Sequence, residues 1–324
     1  MGLFETGRQR LLGTLLAGAL SLGVTGCAKR YVMIQTGMFP RPMLFEDALE
    51  WTRQASSVVQ TMHDFEAAEE TSYGSIGTLE GLHKLVPENE DGLVLLTRAW
   101  AGIAFAFMDD AREDALDHKD EQLAAYHEAR AREAFKRSKF FGTELVNLRA
   151  TGFKEAQKNA STLKAWLTEN YTSKGRAEEL LWLAFSIVGR VAFDLDNPET
   201  VSELWMGIEL AEHSLRLDET YEFGTGHTMI AAAQAGLQDY TGSKKHFDRA
   251  LELSGGNVLT AHVTMAQRYY CPKRDKKTYF ELLNHVIEAK DPNPEQRLSN
   301  TIAKRRARRY LGNKYWQEDC AFEG

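Results

Sequence analysis

The chain has 324 residues, a net charge of −7 and only 7 prolines. It is long enough to bury a large core or to stack many small ones, and its acidity argues against a nucleic-acid binder. Its three cysteines, at 27, 271 and 320, show no Cys-x-x-Cys or Cys/His spacing of a metal site, and no cofactor is expected.

Residues 1–10 carry Arg8 and Arg10, and residues 11–24, LLGTLLAGALSLGV, are an uncharged run. A spanning helix needs about 20 apolar residues, so this run is too short for a comfortable anchor. A basic start, an apolar middle and small residues make a secretory signal. Val24, Thr25, Gly26 and Cys27 resemble the bacterial lipoprotein signal, the lipobox. That resemblance implies a diacylglycerol on the Cys27 thiol and cleavage just before it. An ordinary signal peptide followed by a chance cysteine is the alternative. Each buried acyl CH2 contributes ~0.8 kcal/mol, so several chains hold a protein on a membrane without a spanning helix. Ala28, where aspartate would resemble an inner-membrane retention signal, leans toward the outer membrane. Removing Glu5, Arg8 and Arg10 takes the net charge from −7 to −8. The expected organisation is a signal peptide at 1–26, a lipidated tether at 27–44 and a helical domain at 45–324, facing the periplasm.

Residues 29–43, with Pro40 and Pro42, read as irregular. Helical patterns then follow with few breaks. FEDALEWTRQASSVVQTMHDFEAAEE (45–70) reads as one helix, and IGTLEGLHKLVP (76–87) as the end of another, stopped by Pro87. DGLVLLTRAWAGIAFAFMDDARED (91–114) is apolar nearly all round and should be buried on most sides. Within it AWAGIAFAF (99–107) reads as core rather than the lining of a cavity. The series continues through DEQLAAYHEARAREAFKRSKFF, FKEAQKNASTLKAWLTEN, RAEELLWLAFSIVGRVAFDLD and ETVSELWMGIELAEHSLRLD to EQRLSNTIAKRRARRYLG. The whole suggests roughly eleven to thirteen helices and no strand. Linkers of roughly two to six residues should make neighbours antiparallel. Beyond the leader no stretch reads as a membrane span.

The helices come in pairs, and one pair carries a tetratricopeptide pattern. DYTGSKKHFDRALELSGGN places Ser243 and Ala250 where two helices cross closely and Phe247 between pairs. ARAREAFKRS, with Ala131, Phe135 and Ser138, is a partial copy. A generic helical bundle is the alternative. Stacked pairs make a concave docking face, so the expected fold is an all-α, degenerate tetratricopeptide-type solenoid. An oxidising compartment permits a bridge between Cys271 and Cys320, which would staple the last helices. Two unpaired thiols are the alternative.

Lipobox, degenerate pairs and the ending KKHFDRALELSGGN … AQRYYCPKRDKKTYFELLNHVIEAKDPNPEQRLSNTIAKRRARRYL together resemble the TatT family, the tetratricopeptide lipoproteins associated with TRAP transporters. The likeness spans roughly residues 70–312. Its most specific part holds Phe247, Ala250, Ser254, Tyr269 or Tyr270, Asp275, Phe280, Arg297, Leu298, Asn300, Ala303, Lys304 and Ala307. What the resemblance implies is a periplasmic partner of a TRAP-type extracytoplasmic solute receptor, forming homo-oligomers with a central hollow, in systems that often carry organic acids.

Catalytic signatures are missing: no G-x-S-x-G, Walker A or H-E-x-x-H, and DLDNPE (194–199) reads as a turn and helix start. The chain is therefore expected not to be an enzyme. Lys304, Arg305, Arg306, Arg308 and Arg309 fill one arc of a helix, opposite Ala303, Ala307, Tyr310 and Leu311. They read either as a solvated face or, with Arg297 and Asn300, as contacts for an acidic receptor surface or an anionic solute. An adaptor of TRAP uptake is the first functional reading. A scaffold for outer-membrane or pilus assembly is the second.

Overall fold

The computed structural model describes residues 31–36, 39–44, 49, 52, 53, 56–318 and 320–322. The segment read as a leader, and Cys27, lie outside the described residues. Contacts divide the chain between Leu44 and Phe45.

In the first unit β1 (Tyr31–Thr36) pairs antiparallel with β2 (Phe39–Leu44), from Tyr31 opposite Leu44 to Thr36 opposite Phe39. The expectation of an irregular tether fails here. Tyr31, Val32 and Ile34 are strand-forming residue types. Pro40 and Pro42 are two apart, so their missing N–H groups fall on one edge of the ribbon, where they remove no ladder bond.

The second unit is all-α: its described residues are helices, turns and loops. Its longer helices are α1 (Phe65–Leu85), α2 (Glu90–Ile103), α3 (Asp109–Asp117), α4 (Glu121–Arg149), α5 (Ala160–Asn170), α6 (Ala177–Ala192), α7 (Leu204–Leu217), α8 (Thr225–Gly236), α9 (Tyr240–Ser254), α10 (Leu259–Met265), α11 (Lys276–Glu288) and α12 (Arg297–Gly312). Asp or Asn side chains open many of them by accepting a bond from a free first-turn N–H. Asp64 accepts from Ala67, Asn89 from Gly92, Asp120 from Leu123, Asn159 from Thr162, Asp239 from Gly242 and Asp275 from Thr278. Asp64 corrects the reading of 45–70 as one helix. A short turn, Ser57–Gln60, ends there and α1 starts afresh at Phe65, running unbroken to Leu85.

Small residues bring α2, α4 and α6 close together. Ser138 donates to the carbonyl of Thr97 and meets the Ser186 hydroxyl. A Cβ on Gly189 would lie 2.4 Å from the Phe135 ring. α8 and α9 form a helix pair in which Ser243, Phe247 and Ala250 are buried. A disulfide joins Cys271 to Cys320, ahead of α11 and past α12.

Among the described residues two π-helical turns interrupt the helices. Ala104–Met108 joins α2 to α3, and Ala266–Tyr270 follows α10. The continuous run Glu90–Asp117 is long and apolar enough to cross a membrane, contrary to the expectation of no such stretch. Two thirds of its apolar window is buried inside the fold, as a central core helix requires.

Candidate functional site

The helices of the second unit enclose a chamber of about 950 Å³. Its wall draws on separate stretches of the chain between Thr52 and Tyr310, among them parts of α1, α2, α3, α4, α6, α8, α10 and α12. Phe105, Phe135, Trp182, Phe185, Phe193 and Met229 supply apolar surface. Phe105 and Phe135 both meet Phe185 edge to face. Both π-helical turns reach the wall, through Phe105, Ala106 and Phe107 from one and Gln267 and Arg268 from the other. A π turn inserts one residue into a helix, re-aiming its side chains, and is frequent at functional sites.

AWAGIAFAF thus does both things the sequence set against each other. Ile103, Ala106 and Phe107 are buried, and with Ala99, Gly102 and Phe105 they line the chamber.

One part of the wall is charged. Arg306 donates from Nη2 to Asp109 at 2.6 Å and to the Phe105 carbonyl at 3.1 Å. The Phe105 carbonyl lies in the π turn. Arg112 grips the other Asp109 oxygen at 2.8 and 3.0 Å. Arg309 bridges Glu113 at 2.7 Å and Asp110 at 3.1 Å, and the Tyr310 hydroxyl donates to Glu113 at 2.7 Å. Burial alone would raise Asp109, but Arg306 and Arg112 hold its carboxyl below the ordinary range. Burial pushes Glu113 up, against the pull of Arg306. Burial opposes the charge on Arg306, yet Glu113 and Asp109 outweigh it and keep the guanidinium ionised. Its Nε is buried without a hydrogen-bond partner, 3.7 Å from Glu113.

A second polar patch sits on the wall. Arg98 donates to Glu222 at 2.8 Å and lies over the Trp182 ring, and Gln296 donates to the other Glu222 oxygen at 2.8 Å. Glu222 and Phe223 adopt left-handed φ angles of 48° and 55°. Non-glycine residues reach that region at a cost, and such strain tends to gather at functional sites.

The basic run of α12 does not form one exposed arc. Arg309 is 8% exposed, and Arg306 also points inward, because the buried acids of α3 need counter-charges. Arg305 pairs with Asp110 and lies over the Phe65 ring. Arg308 is exposed and makes no ion pair among the described residues. Asn300 is buried and stitches helices together, accepting from the Leu259 N–H and donating to the Asn257 carbonyl. Arg297 pairs with Asp291, and Lys304 donates to the Lys290 carbonyl. Arg297, Asn300 and Lys304 share a second, smaller recess of about 430 Å³ with His63 and Lys290.

Arg98, Arg112 and Arg268 are wall residues that the sequence reading missed. Arg98 had a signal: one guanidinium inside an apolar helix, which calls for a buried partner. Arg268 had none.

The second unit is thus a helical body around a chamber that is apolar in most of its wall and carries arginines and carboxylates in the rest. Such a chamber falls within the usual 300–1,000 Å³ of small-molecule sites. A family model described as TRAP transporter T-component matches residues 61–316, and the chain belongs to that family. Its place is accordingly with a TRAP transport system at the cell envelope. No curated protein matches the chain significantly.

Proposed function

We propose that this chain is a non-catalytic, lipid-anchored accessory protein that docks the solute receptor of a TRAP uptake system and holds a small organic solute in its chamber. The observation that carries this reading is the 950 Å³ chamber, with its aromatic walls and arginines, inside a member of a transporter-component family. The aromatic rings suit an apolar body, and Arg268, a wall guanidinium with no ion pair among the described residues, suits an anionic or hydrogen-bonding end. The lipobox-like run ending in Cys27 supports an anchor facing the periplasm at the outer membrane. The α8–α9 pair, with its small–large–small contact, supports a tetratricopeptide-type docking surface, and the family resemblance supports a homo-oligomer.

The test is affinity capture of the tagged, lipidated chain from its own cell envelope after mild crosslinking. Recovery of a TRAP solute receptor is the expected result. Recovery of pilus or outer-membrane assembly proteins without a receptor would replace this reading with that of an assembly scaffold.

A further inference from the structure

A stiff basic loop leads away from the chamber. From Arg268 to Lys277 the sequence RYYCPKRDKK holds five cations and one acid, in a chain with a net charge of −7. Arg268, Lys273, Arg274, Lys276 and Lys277 are all exposed. The one acid, Asp275, is engaged as a helix cap, accepting from the Thr278 N–H at 3.0 Å and its hydroxyl at 2.8 Å. Arg268, Lys273 and Arg274 make no ion pair among the described residues. Arg268 adds to the field that holds the buried Asp109 ionised, and Lys273 lies by two tyrosine rings, but no carboxylate among the described residues pairs directly with any of the three.

The loop is held in shape. Cys271 is tied to Cys320. The Arg274 N–H donates to the Cys271 carbonyl at 2.9 Å and the Asp275 N–H to the Tyr270 carbonyl at 3.1 Å. Lys273 Nζ sits 5.3 Å from the Tyr269 ring and 5.5 Å from that of Tyr240. Charges fixed in position lose little entropy on binding, so they favour a specific partner. Arg268, at the start of the loop, is both exposed and part of the chamber wall, so the chamber meets solvent beside this loop.

We propose that the loop from Arg268 to Lys277 is the docking surface for an acidic, carboxylate-rich face of the solute receptor, with Arg268 at the seam between receptor and chamber. This rests on the receptor-docking reading above. An anionic membrane would also attract the loop, but a bilayer lying there would cover the opening that Arg268 borders. A protein face can align its own ligand site with that opening. Arginine also matches carboxylates with a rigid two-pronged donor set.

The test is titration of the purified receptor from the same organism's TRAP system against the full mature chain, using the triple variant Arg268→Glu, Lys273→Glu, Arg274→Glu. Arg308→Glu serves as an exposed control on α12, and helical circular dichroism confirms folding of each variant. The expected result is at least about a tenfold rise in Kd for the triple variant and none for the control. Wild-type affinity should fall as salt rises and shortens the screening length. A folded triple variant that binds the receptor as the wild type does overturns the docking surface and leaves the receptor reading standing. A wild type that does not bind the receptor overturns both. Equal receptor binding, combined with loss of binding to phosphatidylglycerol vesicles, assigns the loop to the membrane and overturns the proposal. If the triple variant misfolds, Arg268→Gln alone replaces it, with the same two directions of outcome.

Discussion

Gly189 marks a close crossing of α4 and α6, since an added Cβ would sit 2.4 Å from the Phe135 ring. Phe135 is itself 1% exposed and cannot retreat. Gly189→Ala should therefore destabilise the protein by about 1–3 kcal/mol, the usual range for overpacking. Gly81 on α1 is exposed, with nothing within 4 Å of its would-be Cβ, so Gly81→Ala should stabilise by up to ~1 kcal/mol through helix propensity. Urea unfolding of the two variants should move in opposite directions. A second residue-scale expectation concerns His227 and His246, whose Nδ1 atoms are 2.8 Å apart. One ring must give the proton and the other the lone pair, so two charged rings cannot keep the contact. His227 Nε2 also contacts Glu219, which Arg249 holds down at about 2. Burial pushes both histidines below the ordinary imidazole range. Their folded values are depressed, so the unfolded chain takes up protons first as pH falls below about 6.5. The stability they contribute is present above that pH and lost below it. The melting temperature should drop between about pH 7.5 and 5.5, and His227→Gln with His246→Gln should flatten that drop. An unchanged slope would contradict the assignment.

At the scale of elements, α3 and α12 are held together by charge inside the fold. Removing Arg309 leaves Glu113 and Asp110 short of a buried partner, which typically costs about 3–5 kcal/mol. Arg309→Met should show that loss in chemical denaturation, whereas Arg308→Gln should stay within about 0.5 kcal/mol of wild type. Neighbours in sequence, the two residues differ only in which way the helix turns them. That difference was invisible in the sequence, because Arg309 finds its acids 196 and 199 residues away. Local spacing was far more legible. Ser243, Phe247 and Ala250 are buried at the helix pair where their offsets placed them, since a close crossing dictates small residues at fixed intervals. The break before Phe65 was hidden because apolar periodicity continues on both sides of the Asp64 cap. The strand ribbon at 31–44 was masked by its prolines. The chamber needed tertiary packing to appear. Its wall draws on residues from Thr52 to Tyr310, and the π turns that aim Phe105 and Arg268 have no local sequence signature.

At the scale of the whole molecule, anchor and chamber make separate claims. Cys27→Ser should abolish lipid labelling and leave a form that carbonate washes off the membrane; a variant that still floats with membranes would remove the anchor from the account. The central claim is that the chamber is a ligand site. Gly102 lines it, and a Cβ there would meet nothing within 4 Å, so Gly102→Trp should fill part of the chamber. Native mass spectrometry of the full chain released from its own envelope in mild detergent tests this most directly. The account predicts a wild-type population carrying a bound small molecule and loss of that added mass in folded Gly102→Trp. A wild type that is always empty, or an added mass retained by the variant, would contradict it.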